Sequence, residues 1–433
     1  MRPTSSPLSR RQILKLFSAS VATGALSACS IRSDRTTASG AVASGGAAPV
    51  GGQTPGSLAD PPRLLPGAVA NRVLVLVELG GGNDGLSTVV PYGEGFLRDV
   101  RPDLMVDDEL LLPIDDRIGF APEFERLHRR GLTIVEGVGA PDHTLSHFEM
   151  ERRWQRADVG GEGIHRFGYL GRLADAVDQG GVATGVSVAG TTPWMYSGFA
   201  STLSLPDPNS LWMLRDTDWD LQLAYLDAFD GFSGDAAIVA SYSALRDLAN
   251  EVEDVEDEPL SVEEVILDDM SQYGGQLARQ LRTAADLISA QVGIRVIHAR
   301  LDGFDTHDDH QWAHPGLLTQ LDAAIDGFLR LMESRGHGEE VLVATVSEFG
   351  RRVQQNGGGL DHGAASTMLI AGPVPDRILG EPSPISGRDA LDGDGNLVMT
   401  TGFDAYLGSL AQEWLGVEAA SILPDEPDLL GIV

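Results

Sequence analysis

Arg72-Val73-Leu74-Val75-Leu76-Val77-Glu78-Leu79 is an apolar, β-branched run that stops at Gly80-Gly81-Gly82-Asn83-Asp84-Gly85. A run of this kind has the character of a strand buried on both faces, as in parallel sheets covered by helices on each side. The glycines permit a tight turn at the strand's carboxyl end, where open α/β sheets bind their ligands. The spacing is not Gly-x-Gly-x-x-Gly, and Lys15 is the only lysine in the chain, so neither nucleotide fingerprint fits. The turn therefore presents Asn83 and Asp84, either as groups of a site or as solvated side chains of an Asn-Asp-Gly turn.

The same grammar recurs downstream. A helical stretch, 123–130, leads to an apolar run, 132–138, which opens into Pro141-Asp142-His143-Thr144-Leu145-Ser146-His147-Phe148 ahead of a helical segment, 148–156. Thr144 and Ser146 stand where a helix N-cap stands, and equally where a helix N-terminus would activate a nucleophilic hydroxyl. Helical spacing over 276–291 precedes a strand, 294–301, that exits into Gly303-Phe304-Asp305-Thr306-His307. A helix over 315–334 and a strand over 341–346 follow, ending in Ser347-Glu348-Phe349-Gly350-Arg351-Arg352. Asp361-His362-Gly363 then precedes a strand, 366–371, and a helix over 403–415 sits in a C-terminal cap. Alternation of strand and helix predicts an α/β fold: a doubly wound, mostly parallel sheet sandwiched by helices. Between about 158 and 270 the pattern is less regular and reads as an insertion, with a short helix at 169–178, loops over 193–219 and a solvated acidic linker at 251–258.

Polar clusters at successive strand exits point to one site outside the sheet edge. Asp305 and His307 aim a carboxylate and an imidazole at one point, Glu348 closes another strand, Asp84 closes the first, and His362 must arrive through a loop. Asp, Glu and His donors suit zinc, manganese, magnesium or calcium. Such an ion polarises a phosphoryl or sulfuryl oxygen. The guanidinium forks of Arg351 and Arg352 match an oxyanion, or are a surface pair in an acidic protein. His298 reads as a satisfied core residue, and His310 and His314 as supporting or surface residues.

The formal charge of −32 on 433 residues argues against nucleic acid, which needs clustered Lys and Arg. One cysteine, Cys29, excludes an internal disulfide framework and a thiolate zinc site. Ser9-Arg10-Arg11-Gln12-Ile13-Leu14-Lys15 resembles a twin-arginine export signal, and Leu26-Ser27-Ala28-Cys29 resembles a lipobox whose cysteine is lipidated. The expected organisation is a signal peptide at 1–29, a Gly/Ala/Ser/Pro tether at 30–65 and one α/β domain at 66–433. The protein is expected in the periplasm or at the cell surface, touching a membrane only through its lipid anchor.

Together, the series Glu78–Leu86, Ser146-His147-Phe148, Gly303–His307, Ser347–Arg352 and Asp361-His362-Gly363 resembles the exported bacterial family called domain of unknown function 1501. That family is grouped with the alkaline phosphatase and sulfatase superfamily. The resemblance implies a divalent-metal site at the strand ends, with Asp84 (or Glu78 or Asn83), Asp305, His307, Glu348 and His362 among its ligands. It places Ser146 or Thr144 near the nucleophile. Two departures stand out: Asp305 and His307 are closer together than the superfamily's Asp-x-x-x-His pair, and Phe349 replaces a histidine. The function expected is hydrolysis of phosphate or sulfate esters by an exported metalloenzyme. The alternative is a non-catalytic lipoprotein that binds a glycan or an exported partner protein.

Overall fold

The computed structural model describes residues 62–161, 165–205 and 261–433; the export segment, Cys29, all but the end of the tether and the acidic run lie outside them. Twelve strands and seven of the helices organise the described chain. The strands are β1 (Val73–Gly80), β2 (Val89–Pro91), β3 (Leu112–Pro113), β4 (Ile118–Phe120), β5 (Thr133–Gly139), β6 (Gly185–Ser187), β7 (Thr202–Ser204), β8 (Val296–Asp302), β9 (Val341–Val346), β10 (Ser366–Ala371), β11 (Arg377–Leu379) and β12 (Thr401–Gly402). The helices are α1 (Glu125–Arg130), α2 (His147–Arg156), α3 (Tyr169–Val177), α4 (Ser261–Tyr273), α5 (Gly275–Ser289), α6 (His310–Ser334) and α7 (Phe403–Ser409).

The main sheet has the order β11-β5-β10-β9-β1-β8-β6-β7, with β12 also pairing β5, and β2, β4 and β3 form a separate small sheet. The first strand is central, as its unbroken apolar run requires: it pairs in parallel with β8 on one side and β9 on the other. Its side chains alternate between two cores. Val73, Val75, Val77 and Leu79 pack with Ile266 of α4, Leu281 of α5 and Phe328 of α6. Leu74 and Leu76 pack on the opposite face with Trp154 of α2, Leu170 of α3 and Tyr406 of α7. Each of these fully buried aliphatic side chains contributes about 1.5–3 kcal/mol relative to exposure. The result is the expected helix-sheet-helix sandwich.

One strand runs against the rest. β10 is antiparallel to both β9 and β5, whereas every other pairing in the main sheet is parallel. Its amino end therefore lies at the edge where the parallel strands have their carboxyl ends. Asp361-His362-Gly363, which precedes it, is delivered to that edge directly.

Two stretches differ from the sequence expectation. In the described part of the segment read as an insertion, the expected short helix is α3, and the unforeseen short strands β6 and β7 join the main sheet. Helix α6 starts at His310, ahead of Pro315. The proline removes one ladder bond, and tertiary bonds hold the turn before it: the His310 amide to the Gly358 carbonyl and His314 Nε2 to Asn83 Oδ1, both at 3.0 Å. That early start places His310 and His314 in the helix, both buried. No helix among the described residues is long and apolar enough to cross a membrane.

Candidate metal centre

Four strand exits converge at the β10 edge. Gly81, with φ +113°, makes the turn after β1, and a Cβ there would collide with the backbone of Phe304 and Asp305. Gly363 similarly lets the segment before β10 lie against the backbone of Arg351. These close approaches bring His147, Asp305, His307 and His362 together.

His362 is the hub. Its Nε2 lies 3.0 Å from His147 Nε2, 2.8 Å from His307 Nε2 and 3.2 Å from Asp305 Oδ1. Asp305 Oδ1 is also 3.1 Å from His307 Nε2 and 3.5 Å from His147 Nε2. The ligand atoms of His147, Asp305 and His362 all lie within 4.8 Å of one another, and His307 Nε2 flanks this trio beside His362 and Asp305. The ligand-to-ligand edge of a tetrahedral zinc site is about 3.3 Å, given zinc–nitrogen bonds of about 2.0–2.1 Å.

The far side of each ring fixes its tautomer. His147 Nδ1 donates to Glu348 Oε1 at 2.8 Å, His362 Nδ1 to the Leu145 carbonyl at 2.7 Å, and His307 Nδ1 to Asp361 Oδ1 at 3.2 Å. Those oxygens only accept, so each neutral ring carries its proton on Nδ1. The Nε2 lone pairs of His147 and His362 and the Asp305 carboxylate then face a common point with the His307 Nε2 lone pair beside it, an arrangement that repels itself unless a cation is bound. The hydrogen bond that His147 Nδ1 donates to Glu348 raises the His147 pKa against the opposing effect of burial. These residues fit a divalent metal, and the carboxylate–histidine contacts are the usual supports of metal-ligating imidazoles.

The other expected site residues fall into three places. Glu348 is behind His147: it is buried, and its Oε1 also accepts from the Gly81 amide at 2.9 Å. Asp84 is turned inward, with its Oδ2 2.7 Å from Arg101 Nη1 in a fully buried ion pair and 3.5 Å from His310 Nε2. Burial opposes ionisation there, but Arg101 and His310 hold the Asp84 carboxyl well below its ordinary pKa. Asn83 Oδ1 receives Thr88 Oγ1 and His314 Nε2, and Glu78 is buried against His298 and Arg300. None of Asp84, Asn83 and Glu78 joins the four-donor cluster, because a buried basic partner or hydrogen-bond network holds each one.

Ser146 is the N-cap residue of α2 by backbone conformation, yet its side chain makes no capping bond and is exposed. Thr144 Oγ1 accepts weakly from the Ser146 amide at 3.4 Å. The group this motif sends into the cluster is His147, the first helical residue. In the sequence it is only one of two histidines beside two hydroxyls. The other, His143, faces Asp392 at 3.4 Å.

Arg351 is not a clamp for substrate oxygens. It is 1% exposed, and its guanidinium is saturated by the carbonyls of Gly81, Gly82, Leu360 and Phe304 and by Asp305 Oδ1 at 2.6 Å. It ties the three loops to one another. Arg352, the next residue, points elsewhere, into a neighbouring cavity.

His314 gives the region a pH signature. Burial, then the neighbouring His310, push its pKa down to about 3. The unfolded chain, with histidine near ~6.5, takes up this proton more readily. The resulting stability is complete above about pH 6.5 and is lost as pH falls toward 3. At pH 5 the loss is about 2 kcal/mol relative to pH 7. Urea unfolding should show a lower midpoint at pH 5, with a smaller difference in His314→Gln; an unchanged difference would remove His314 as the cause.

A family model described as "Protein of unknown function (DUF1501)" matches residues 132–374, more than half of the chain. No curated protein matches. Among solved structures, the chain is similar to the PsFucS1 sulfatase from Pseudoalteromonas sp., at 9% identity and a TM-score of 0.34, over 81% of this chain and 73% of that one. It is also similar to the C-terminal periplasmic domain of EcEptC from Escherichia coli in its complex with Zn, at 9% identity and a TM-score of 0.38, over 85% and 90%. For the alkaline phosphatase of the Antarctic bacterium TAB5 the values are 10% and 0.32, over 71% and 94%.

Proposed function

The chain belongs to the DUF1501 family, and within it we propose that this protein is an exported metal-dependent hydrolase of phosphate or sulfate esters. The observation that carries the metal is the cluster of His147 and His362 Nε2 with Asp305 Oδ1, flanked by His307 Nε2. A donor set dominated by imidazole nitrogen favours zinc over magnesium or calcium, which prefer oxygen shells. Bound there, the ion would supply Lewis-acid polarisation of an ester oxygen. His307 and Asp305 are each nearly half exposed, so the cluster has a solvent side from which an ester can approach. Glu348, Asp361 and the Leu145 carbonyl orient the rings, and Arg351 fixes the Asp305 carboxylate. Ser146 is the candidate nucleophile, an uncapped, exposed hydroxyl beside a ligand.

A second reading has its own support. With His307 added to His147, Asp305 and His362, four protein donors would complete a tetrahedral shell, the pattern of structural zinc, whereas catalytic sites keep a position open. On this reading the ion pins the loops of a binding protein for a glycan or an exported partner. Elemental analysis of the full chain, with turnover of aryl phosphate and aryl sulfate esters, separates the two. Bound zinc with turnover lost in Ser146→Ala supports the hydrolase; bound zinc without turnover supports the binding protein. A chain that holds no divalent ion defeats both.

Export and lipid anchoring, proposed from Ser9-Arg10-Arg11 and Cys29, have a separate readout. Metabolic labelling with palmitate should mark the wild type and not Cys29→Ala; labelling of both would reject the lipobox.

A further inference from the structure

Asp361, which holds His307 Nδ1, also forms part of the wall of a cavity of about 620 Å³. We infer that this cavity is a subsite for a polyhydroxylated acid of the acidic-saccharide class, with Arg352 and Arg388 holding its acid group. The inference rests on the metal centre as the place where the same molecule's ester is bound.

The two arginines are the first ground. Acidic residues number 63 against 31 Lys and Arg, yet neither Arg352 nor Arg388 has a carboxylate partner among the described residues. Among the described residues, Arg352 Nε is buried with no hydrogen-bond partner, and Arg388 Nη2 donates to the neutral Gln354 Oε1 at 3.1 Å. Carboxylates share the cavity but are tied down. Asp361 serves His307 and Asn356, and Asp392 Oδ1 accepts the amides of Asp394 and Asn396 at 2.9 and 2.8 Å. Held apart from those acids, the guanidinium forks retain donors suited to a planar carboxylate or a sulfate.

The mixture of groups decides the class of ligand. A bare inorganic anion would meet Asp392 and Asp394 as well as the arginines, and an apolar ligand would strip water from all of them without replacing its hydrogen bonds. A hydroxylated acid uses both sets, giving its charge to Arg352 and Arg388 and its hydroxyls to the carboxylates and side-chain amides. Phe96 supplies one apolar wall, suited to the C–H face of a sugar ring. The volume falls within the usual range for small-ligand sites, about 300–1,000 Å³.

The test uses the full chain loaded with zinc and a 4-linked galacturonic acid trisaccharide, its fully methyl-esterified form, and inorganic sulfate. Calorimetry should show the acid binding about tenfold or more tighter than the ester, as a charge-assisted contact predicts. The Arg352→Gln/Arg388→Gln double variant should lose that preference while its zinc content stays unchanged. If the double variant fails to fold, exposed Arg388→Gln alone should still reduce the preference severalfold. Equal binding of acid and ester, an unchanged preference in the variants, or sulfate binding as tightly as the trisaccharide would each overturn the inference. The two readings fail separately. Acid preference without bound zinc retains the subsite and removes the metal centre, and zinc with ester turnover but no acid preference does the reverse.

Discussion

Arg351→Met is expected to cost about 3–5 kcal/mol of stability, the scale seen when one partner of a buried ionic network is removed. The arginine is 1% exposed and holds four carbonyls plus Asp305 Oδ1, so methionine fills much of its volume but satisfies none of them. The carbonyls belong to the turn after β1, the loop after β8 and the segment before β10, which makes this side chain the tie between three of the four strand exits. Urea denaturation gives the number. Arg351→Lys should recover only part of it, because an ammonium cannot span the same acceptors. A loss below about 1 kcal/mol would mean that the carbonyls find water in the variant.

The second large effect concerns the metal. His362→Ala removes the donor that contacts all three others, and metal affinity should fall more than ~100-fold. That is roughly one quarter of the ~10–16 kcal/mol typical of a four-donor structural zinc site. Glu348→Gln leaves every donor in place but weakens the support of His147, so its expected loss is smaller, about 10- to 100-fold. Competition with a chelator of known affinity measures both. The order matters more than the size: if Glu348→Gln lost more metal than His362→Ala, Glu348 itself would be a ligand and His362 would not be the hub of the centre. Chelation should also lower the thermal midpoint of the wild type and leave that of His362→Ala unmoved, because only the wild type has a bound ion to lose.

Much of the scaffold was legible in the chain. The unbroken apolar run of β1 has the character of a strand covered on both sides, and its alternate side chains do enter two separate cores. Helical periodicity located α5 within a residue or two, and β9 and β10 have the bounds their apolar runs suggest. The strands β6 and β7 were not legible, because each is only three residues long. Strands so short have no periodicity to read and take their conformation from the neighbour they pair with.

Residue order alone was enough to gather polar donors at strand exits and to name Asp305, His307 and His362 among them. Which donors meet was decided by tertiary packing. Asp84 and Glu348 are as acidic and as well placed along the chain as Asp305, yet Arg101 takes one and His147 the other. His147 joined the cluster because α2 begins at that residue, and linear sequence does not show which of several polar residues begins a helix. The direction of β10 was decided the same way. A segment preceding a parallel strand would lie at the far edge of the sheet, and only the antiparallel pairing of β10 with β9 and β5 brings His362 to the near one. Strand direction depends on pairing partners distant in the chain, and an apolar run looks alike read either way.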